Sequence, residues 1–149
     1  MTECLILIDT NIFIRVAKRN DPDRQLALDA IRKLRTNKED LCYTTQVLVE
    51  FWNVSTRPAT ARGGLGHTLQ VTERKARLIE KNFRLLPESL ATHQEWRRLV
   101  STHAIEGVQA HDAMIAAVMI VHGVTHIVTF NKGHFERFGK ITALLPSEV

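Results

Sequence analysis

Leu5-Ile6-Leu7-Ile8-Asp9-Thr10-Asn11-Ile12-Phe13-Ile14 is the stretch on which the fold turns. Its first four residues form a short continuous apolar run, the pattern of a strand buried on both faces. Asp9-Thr10-Asn11 ends the run, and these polar residues can cap a helix that starts at once through Ile12, Phe13, Ile14 and Val16. A doubly covered strand that feeds straight into a helix is the opening of a parallel α/β arrangement.

Outward from there the same alternation repeats. Asn20-Asp21-Pro22-Asp23 reads as a turn, with Pro22 placed to begin the next helix. That helix turns Leu26, Leu28, Ala30, Ile31 and Leu34 inward and Arg32, Lys33 and Arg35 outward. Residues 41–44 are a second strand candidate, and Thr45 caps a helix carrying Val47, Leu48, Phe51, Trp52 and Val54. Helices over about 68–81 and 89–103 flank a third strand at 83–87. An apolar helix over about 109–121 stops near Gly123, a candidate C-cap. Strands at 126–130 and 140–143 follow. The pattern predicts one three-layer α/β domain spanning 1–149, with a central parallel sheet of about five strands flanked by helices. The one breaker-rich stretch, 56–68, contains Arg57-Pro58 and Gly63-Gly64-Leu65-Gly66. It reads as a flexible flap carrying Arg57 and Arg62 toward a polyanion.

Composition narrows the class. The chain has 149 residues, 44% of them apolar, with seven Gly and four Pro, which suits one compact domain and argues against disorder. Twenty Lys and Arg against 16 Asp and Glu give +4, compatible with a polyanionic partner without requiring one. Cys4 and Cys42 each open an apolar run and read as core residues in a reducing compartment. The start Met1-Thr2-Glu3-Cys4 lacks the basic region of a signal peptide, and the run after Asp112 ends at His122-Gly123, short of a membrane span. The expectation is a soluble, cytoplasmic protein.

The candidate chemistry lies where acids interrupt apolar sequence. Asp9 closes the first strand, Glu50 breaks into Val47-Leu48-Val49-Glu50-Phe51-Trp52, and Asp112 opens the long apolar helix. Buried carboxylates are costly unless paired, hydrogen-bonded or bound to metal. In open parallel sheets, ligands bind beyond the carboxyl ends of the strands where the connection order reverses. Asp9 and Asn131 follow two strands there, Glu50 sits about one turn into its helix, and Asp112 lies in a first turn, where the helix dipole favours an anion. Taken alone, Asp9 also reads as a cap, Glu50 as a solvent-facing residue, Asp112 as a first-turn acid and Asn131 as a turn residue. Those readings do not jointly account for all four falling on one rim. Carboxylates gathered without cations suit a hard divalent ion and phosphodiester hydrolysis.

Ile8-Asp9-Thr10-Asn11, Gln46-Val47-Leu48-Val49-Glu50-Phe51, His111-Asp112-Ala113-Met114-Ile115-Ala116-Ala117 and Val128-Thr129-Phe130-Asn131-Lys132-Gly133-His134-Phe135 together resemble the four motifs of PIN domains, the nuclease family that includes the VapC-type toxins. The set covers almost the whole chain, in order. The resemblance implies a divalent-metal-dependent endoribonuclease, with Asp9, Glu50 and Asp112 holding Mg2+ or Mn2+ and Asn131 completing the catalytic set. It also implies that Thr10 and Asn11, with Thr129, orient those groups. Arg15 after the Asp9 turn, Arg57 and Arg62 on the breaker-rich loop, and Lys132 beside Asn131 are the candidate contacts to RNA. A toxin's role would add a small antitoxin and a homodimer. The chain departs from many relatives at the fourth motif, where Asn131 and then His134 stand in place of an acid and a second metal site would be weaker. His111 and His134 could tune the site. Two rivals stay open on these residues: an RNA-binding module without catalysis, and a phosphohydrolase with Asp9 as covalent nucleophile, the latter weakened by Asn11 where a second Asp is expected.

Overall fold

A computed structural model describes residues 5–149; Cys4 and the start of the chain lie outside the described residues. In chain order the elements are β1 (Leu5–Ile8), α1 (Thr10–Ala17), α2 (Arg24–Thr36), β2 (Asp40–Thr44), α3 (Thr45–Thr56), α4 (Leu69–Asn82), β3 (Arg84–Leu86), α5 (Leu90–Thr102), α6 (Gln109–Val121), β4 (His126–Val128), α7 (Lys132–Glu136) and β5 (Thr142–Leu144). A short 3-10 turn, Pro146–Glu148, follows. The strands form one sheet in the order β3-β2-β1-β4-β5, and all neighbouring pairs are parallel.

This order follows from the apolar pattern. Leu7, Ile8, Cys42, Ile127 and Val128 are buried in the three central strands, whereas β3 and β5 at the edges are partly exposed. The chain builds outward from β1 through β2 to β3, then crosses back to lay β4 against the other side of β1. Right-handed crossovers therefore put the helices before and after the reversal on opposite faces of the sheet. The point of reversal is the β1–β4 junction, where Ile8 is in register with Val128.

Helix α6 is the most buried helix, with Ala113 and Ile115 to Met119 sealed in the core. It packs along α5, while α1 packs against both α2 and α3. The T-shaped contact of Phe13 with Phe83, ring centroids 4.9 Å apart, ties α1 to the start of β3. Cys42 is a buried core thiol, as expected, and burial pushes it up to about 12. Among the described residues no helix is long and apolar enough to cross a membrane.

Several boundaries differ from the sequence reading. Thr44, not Thr45, caps α3, its hydroxyl accepting the Val47 N–H at 3.2 Å. Pro22 does not start α2, because Asp21 accepts the Asp23 N–H at 2.9 Å and holds a turn ahead of Arg24. Strand β4 stops at Val128, since the Phe130 N–H leaves the ladder to donate to Asn11 Oδ1 at 3.2 Å. Strand β5 runs 142–144 rather than 140–143. Helix α7 stands where the sequence pattern predicts no element; buried Phe135 anchors it. The 57–68 segment is not a free flap. Leu65, Gly66 and His67 donate backbone bonds to Val54, Arg57 and Ser55, folding the loop back on the end of α3.

Candidate active site at the carboxyl edge of the sheet

The junction of β1 and β4 delivers the first acid. The Asp9 N–H continues the ladder to Val128 O at 3.1 Å, so its side chain emerges just past the last residue pair of the sheet. There Asp9 caps α1: Oδ1 accepts the Thr10 N–H at 2.7 Å, and Oδ2 accepts the Thr129 hydroxyl at 2.7 Å and Asn11 Nδ2 at 3.3 Å. Thr129 Oγ1 in turn accepts the Asn131 N–H at 2.9 Å and Asn11 Nδ2 at 3.2 Å. Asp9 is only 5% exposed. Burial pushes its carboxyl up to about 7, against the lowering hydrogen bonds from Thr129 and Thr10, and the charges of Asp112 and Glu50 push the same way as burial.

Glu50 reaches the site from α3. Its Oε2 accepts the Thr10 hydroxyl at 2.8 Å and its Oε1 accepts Gln46 Nε2 at 2.9 Å, the latter an i,i+4 contact on one helix face. Gln46 Nε2 also meets His111 Nδ1 at 3.0 Å. Asp112, in the first turn of α6, lies 3.1 Å from His134 Nδ1 on α7. Burial raises its carboxyl above the usual range; His134 and Arg137 oppose the rise, and Glu50 adds to it.

Asp9, Glu50, Asp112 and Asn131 thus line one open cleft of about 440 Å³, together with Thr10, Asn11, Gln46, Arg57, His111 and His134. Thr129, fully buried, supports the cleft from beneath through its bond to Asp9. Of the expected RNA contacts, Arg57 lines the cleft, its guanidinium held by Arg62 O at 2.7 Å. Arg15, Arg62 and Lys132 do not line it. Arg15 pairs with buried Asp21 at 3.0 Å and lies over the Phe130 ring, and Lys132 pairs with Glu148 at 3.0 Å. The sequence reading missed Gln46 as a site residue, although its spacing from Glu50 on one helix face was available.

The donor set suits a hard cation. It offers carboxylate oxygens on one buried and two partly exposed acids, and the charges acting on Asp9 are themselves carboxylates. Among the described residues no three acids, histidines or cysteines already surround one point closely enough to hold a metal. An ion that keeps several of its waters and takes one or two carboxylates directly does not require that closure.

Fold and site together define a parallel α/β protein with an acidic cleft at the switch point of its sheet. The chain belongs to the PIN domain family, whose profile matches residues 6–141. No curated protein matches it significantly. Solved structures share the fold at low identity. VapBC-1 from nontypeable Haemophilus influenzae is 16% identical, with TM-score 0.70, covering 96% of this chain and 98% of that one. Mycobacterium tuberculosis VapC20, a Sarcin-Ricin loop cleaving toxin, is 21% identical with TM-score 0.65, covering 89% and 94%. A toxin-antitoxin complex from Klebsiella pneumoniae is 18% identical with TM-score 0.65, covering 97% and 99%.

Proposed function

We propose that this cleft hydrolyses RNA phosphodiester bonds with the help of Mg2+ or Mn2+ held by Asp9, Glu50 and Asp112. The observation that carries this reading is the buried Asp9, set beside two further acids on the rim of an open cleft. A divalent ion there would neutralise the acids, polarise the scissile phosphate and make the attacking water more acidic.

The chain's own residues have defined parts. The Thr10 N–H and the Thr129 hydroxyl favour the ionised form of Asp9 against its burial and fix its carboxylate at the edge of the cleft. Thr10 and Gln46 grip both oxygens of Glu50, and His134 orients Asp112. Arg57 is the cation placed to meet a phosphate of the strand. Water adds across a P–O bond, which breaks, and the proton it releases has the partly exposed carboxylates of Glu50 and Asp112 as acceptors.

The biological role that fits is the toxin of a toxin–antitoxin pair, working as a homodimer until a small antitoxin masks the cleft. The fold shared with VapBC-1 and with the Klebsiella complex supports the partner, and the likeness to VapC20, the Sarcin-Ricin loop cleaving toxin, supports a nuclease. A second reading, RNA binding without cleavage, draws on Asn131, which brings no charge to the fourth wall of the cleft.

The test is cleavage of total RNA and of synthetic single strands with Mg2+, Mn2+ or EDTA, beside Asp9→Asn. Metal-dependent cleavage lost in the variant is expected. RNA bound but uncut by both proteins would replace the nuclease with the binding module.

A further inference from the structure

The acids occupy only part of the cleft. Its wall also carries Val49 on α3 and Val108 at the start of α6, 56% and 79% exposed, and neither metal nor phosphate chemistry uses an apolar side chain. Val49 lies three residues after Gln46 and Val108 three before His111, and Gln46 Nε2 meets His111 Nδ1 at 3.0 Å. Both valines are therefore within a turn of a contact that joins the two walls. Such surface costs free energy in water, and covering it with a flat apolar face recovers that cost.

Asn53 stands beside this surface. It is four residues from Val49 and three from Glu50, so the three share one face of α3, and Arg57 closes the helix four residues beyond. All four line the cleft. Along the axis Asn53 comes about 4.5 Å after Glu50, and Arg57 about 6 Å after that. The Gln46 amide is engaged by Glu50 and His111, and the Arg57 guanidinium by Arg62 O. The amide of exposed Asn53 bonds none of the described residues, and keeps both a donor and an acceptor for a ligand.

We infer that Val49, Val108 and Asn53 form a nucleobase subsite beside the acids, and that Asn53 makes adenine the preferred base next to the scissile phosphate. This rests on the proposed hydrolysis of RNA and specifies how that site chooses its substrate. The base lays its ring face on the valines and turns its edge to Asn53, with a neighbouring phosphate at Arg57. Adenine sets the N6 amino donor beside a ring-nitrogen acceptor on both of its free edges, and an Asn amide meets that pair with its oxygen and nitrogen together. Guanine offers two acceptors, N7 and O6, on one of those edges. Pyrimidines bring a smaller ring face to the valines.

The experiment is cleavage of a randomised single-stranded RNA pool by the whole protein with Mn2+, the cut ends being sequenced. Wild type is expected to select adenine at one fixed position beside the cut. On the best oligonucleotide, replacing that adenine by purine, which lacks the N6 amino group, lowers kcat/KM about tenfold. Asn53→Ala lowers it by a similar factor and no longer distinguishes adenine from purine, a result that a merely structural role of Asn53 would not produce. Val49→Ser and Val108→Ser raise KM whatever the base. Leu90→Ser, which alters a comparably exposed side chain on α5 away from the cleft lining, changes neither rate nor preference. Cleavage without adenine preference, or a preference that survives Asn53→Ala, overturns the inference and leaves the nuclease standing; the valines then belong to a protein contact. Absence of metal-dependent cleavage by wild type overturns both.

Discussion

Replacing Asp9 by Asn removes the charge that the fold finds hardest to hold, and the outcome should depend on pH. The folded carboxyl sits at about 7 against an ordinary 3.8, raised first by burial. A raised acid is penalised when ionised. Stability is therefore greatest below the ordinary value, falls as pH climbs through the interval up to about 7, and stays level above it. At about 1.4 kcal/mol per pH unit the full penalty is about 4 kcal/mol near pH 8, of which about 2–3 kcal/mol accrues above pH 5. Asn escapes this penalty. It also turns an amide N–H toward one of the donors that now bond the carboxylate, at a cost of about 1–3 kcal/mol that does not vary with pH. Thermal unfolding of both proteins in EDTA from about pH 5 to pH 8 isolates the charge. The gap between them should move in favour of the variant by about 2–3 kcal/mol, or about 5–10 °C for a chain of this size. Adding Mn2+ near pH 8 should raise wild type and leave Asp9→Asn nearly unmoved. Parallel pH curves for the two proteins would refute the assignment of the penalty to Asp9.

Thr129→Val removes the hydroxyl that joins Asp9, Asn11 and the Asn131 N–H. It should cost about 1–3 kcal/mol by urea unfolding and depress RNA cleavage as well. Arg57→Ala should leave the fold unchanged and weaken RNA binding, with a salt dependence shallower by about one phosphate contact in fluorescence anisotropy. Gly64→Ala would set a Cβ 2.3 Å from Pro58 O and 2.6 Å from Arg57 O, so the loop must shift. A lower melting temperature together with RNA binding weakened as in Arg57→Ala is expected; wild-type values for both would show that the loop adapts freely. Phe51→Ala, which empties a core position only 1% exposed, should cost about 3–5 kcal/mol in urea.

How far the sequence carried the reading can be seen residue by residue. The run Leu5–Ile8, the helix Gln109–Val121 and the inward Ala30 and Leu34 of α2 were legible because hydrophobic periodicity is a local signal, whereas Leu26, expected inward, is exposed and Ala27 is buried instead. Asp9, Glu50 and Asp112 stood out because an acid against apolar sequence is an exception whose cost asks for a reason. Helix α7 was not legible: in five residues its only apolar anchor is Phe135, whose burial comes from distant packing. The early end of β4 escaped for a similar reason, since the Phe130 N–H is claimed by Asn11, far off in sequence.

The candidate phosphate contacts divide along the same line. A positive charge can be read from sequence, but its partner cannot. Only the fold shows that Arg15 is committed to Asp21 and Lys132 to Glu148, whereas Arg57 stays on the cleft wall.

By itself, then, the chain determined the class of fold, the order of its βα units and the three acids, all of which follow from apolar runs and their interruptions. The sequence placed these acids on one rim, but tertiary structure alone decided that Thr129 and Gln46 hold two of them and that His134 meets the third. Those facts depend on strand order, which brings β4 beside β1 across more than a hundred residues, and on hydrogen bonds whose partners no local pattern records.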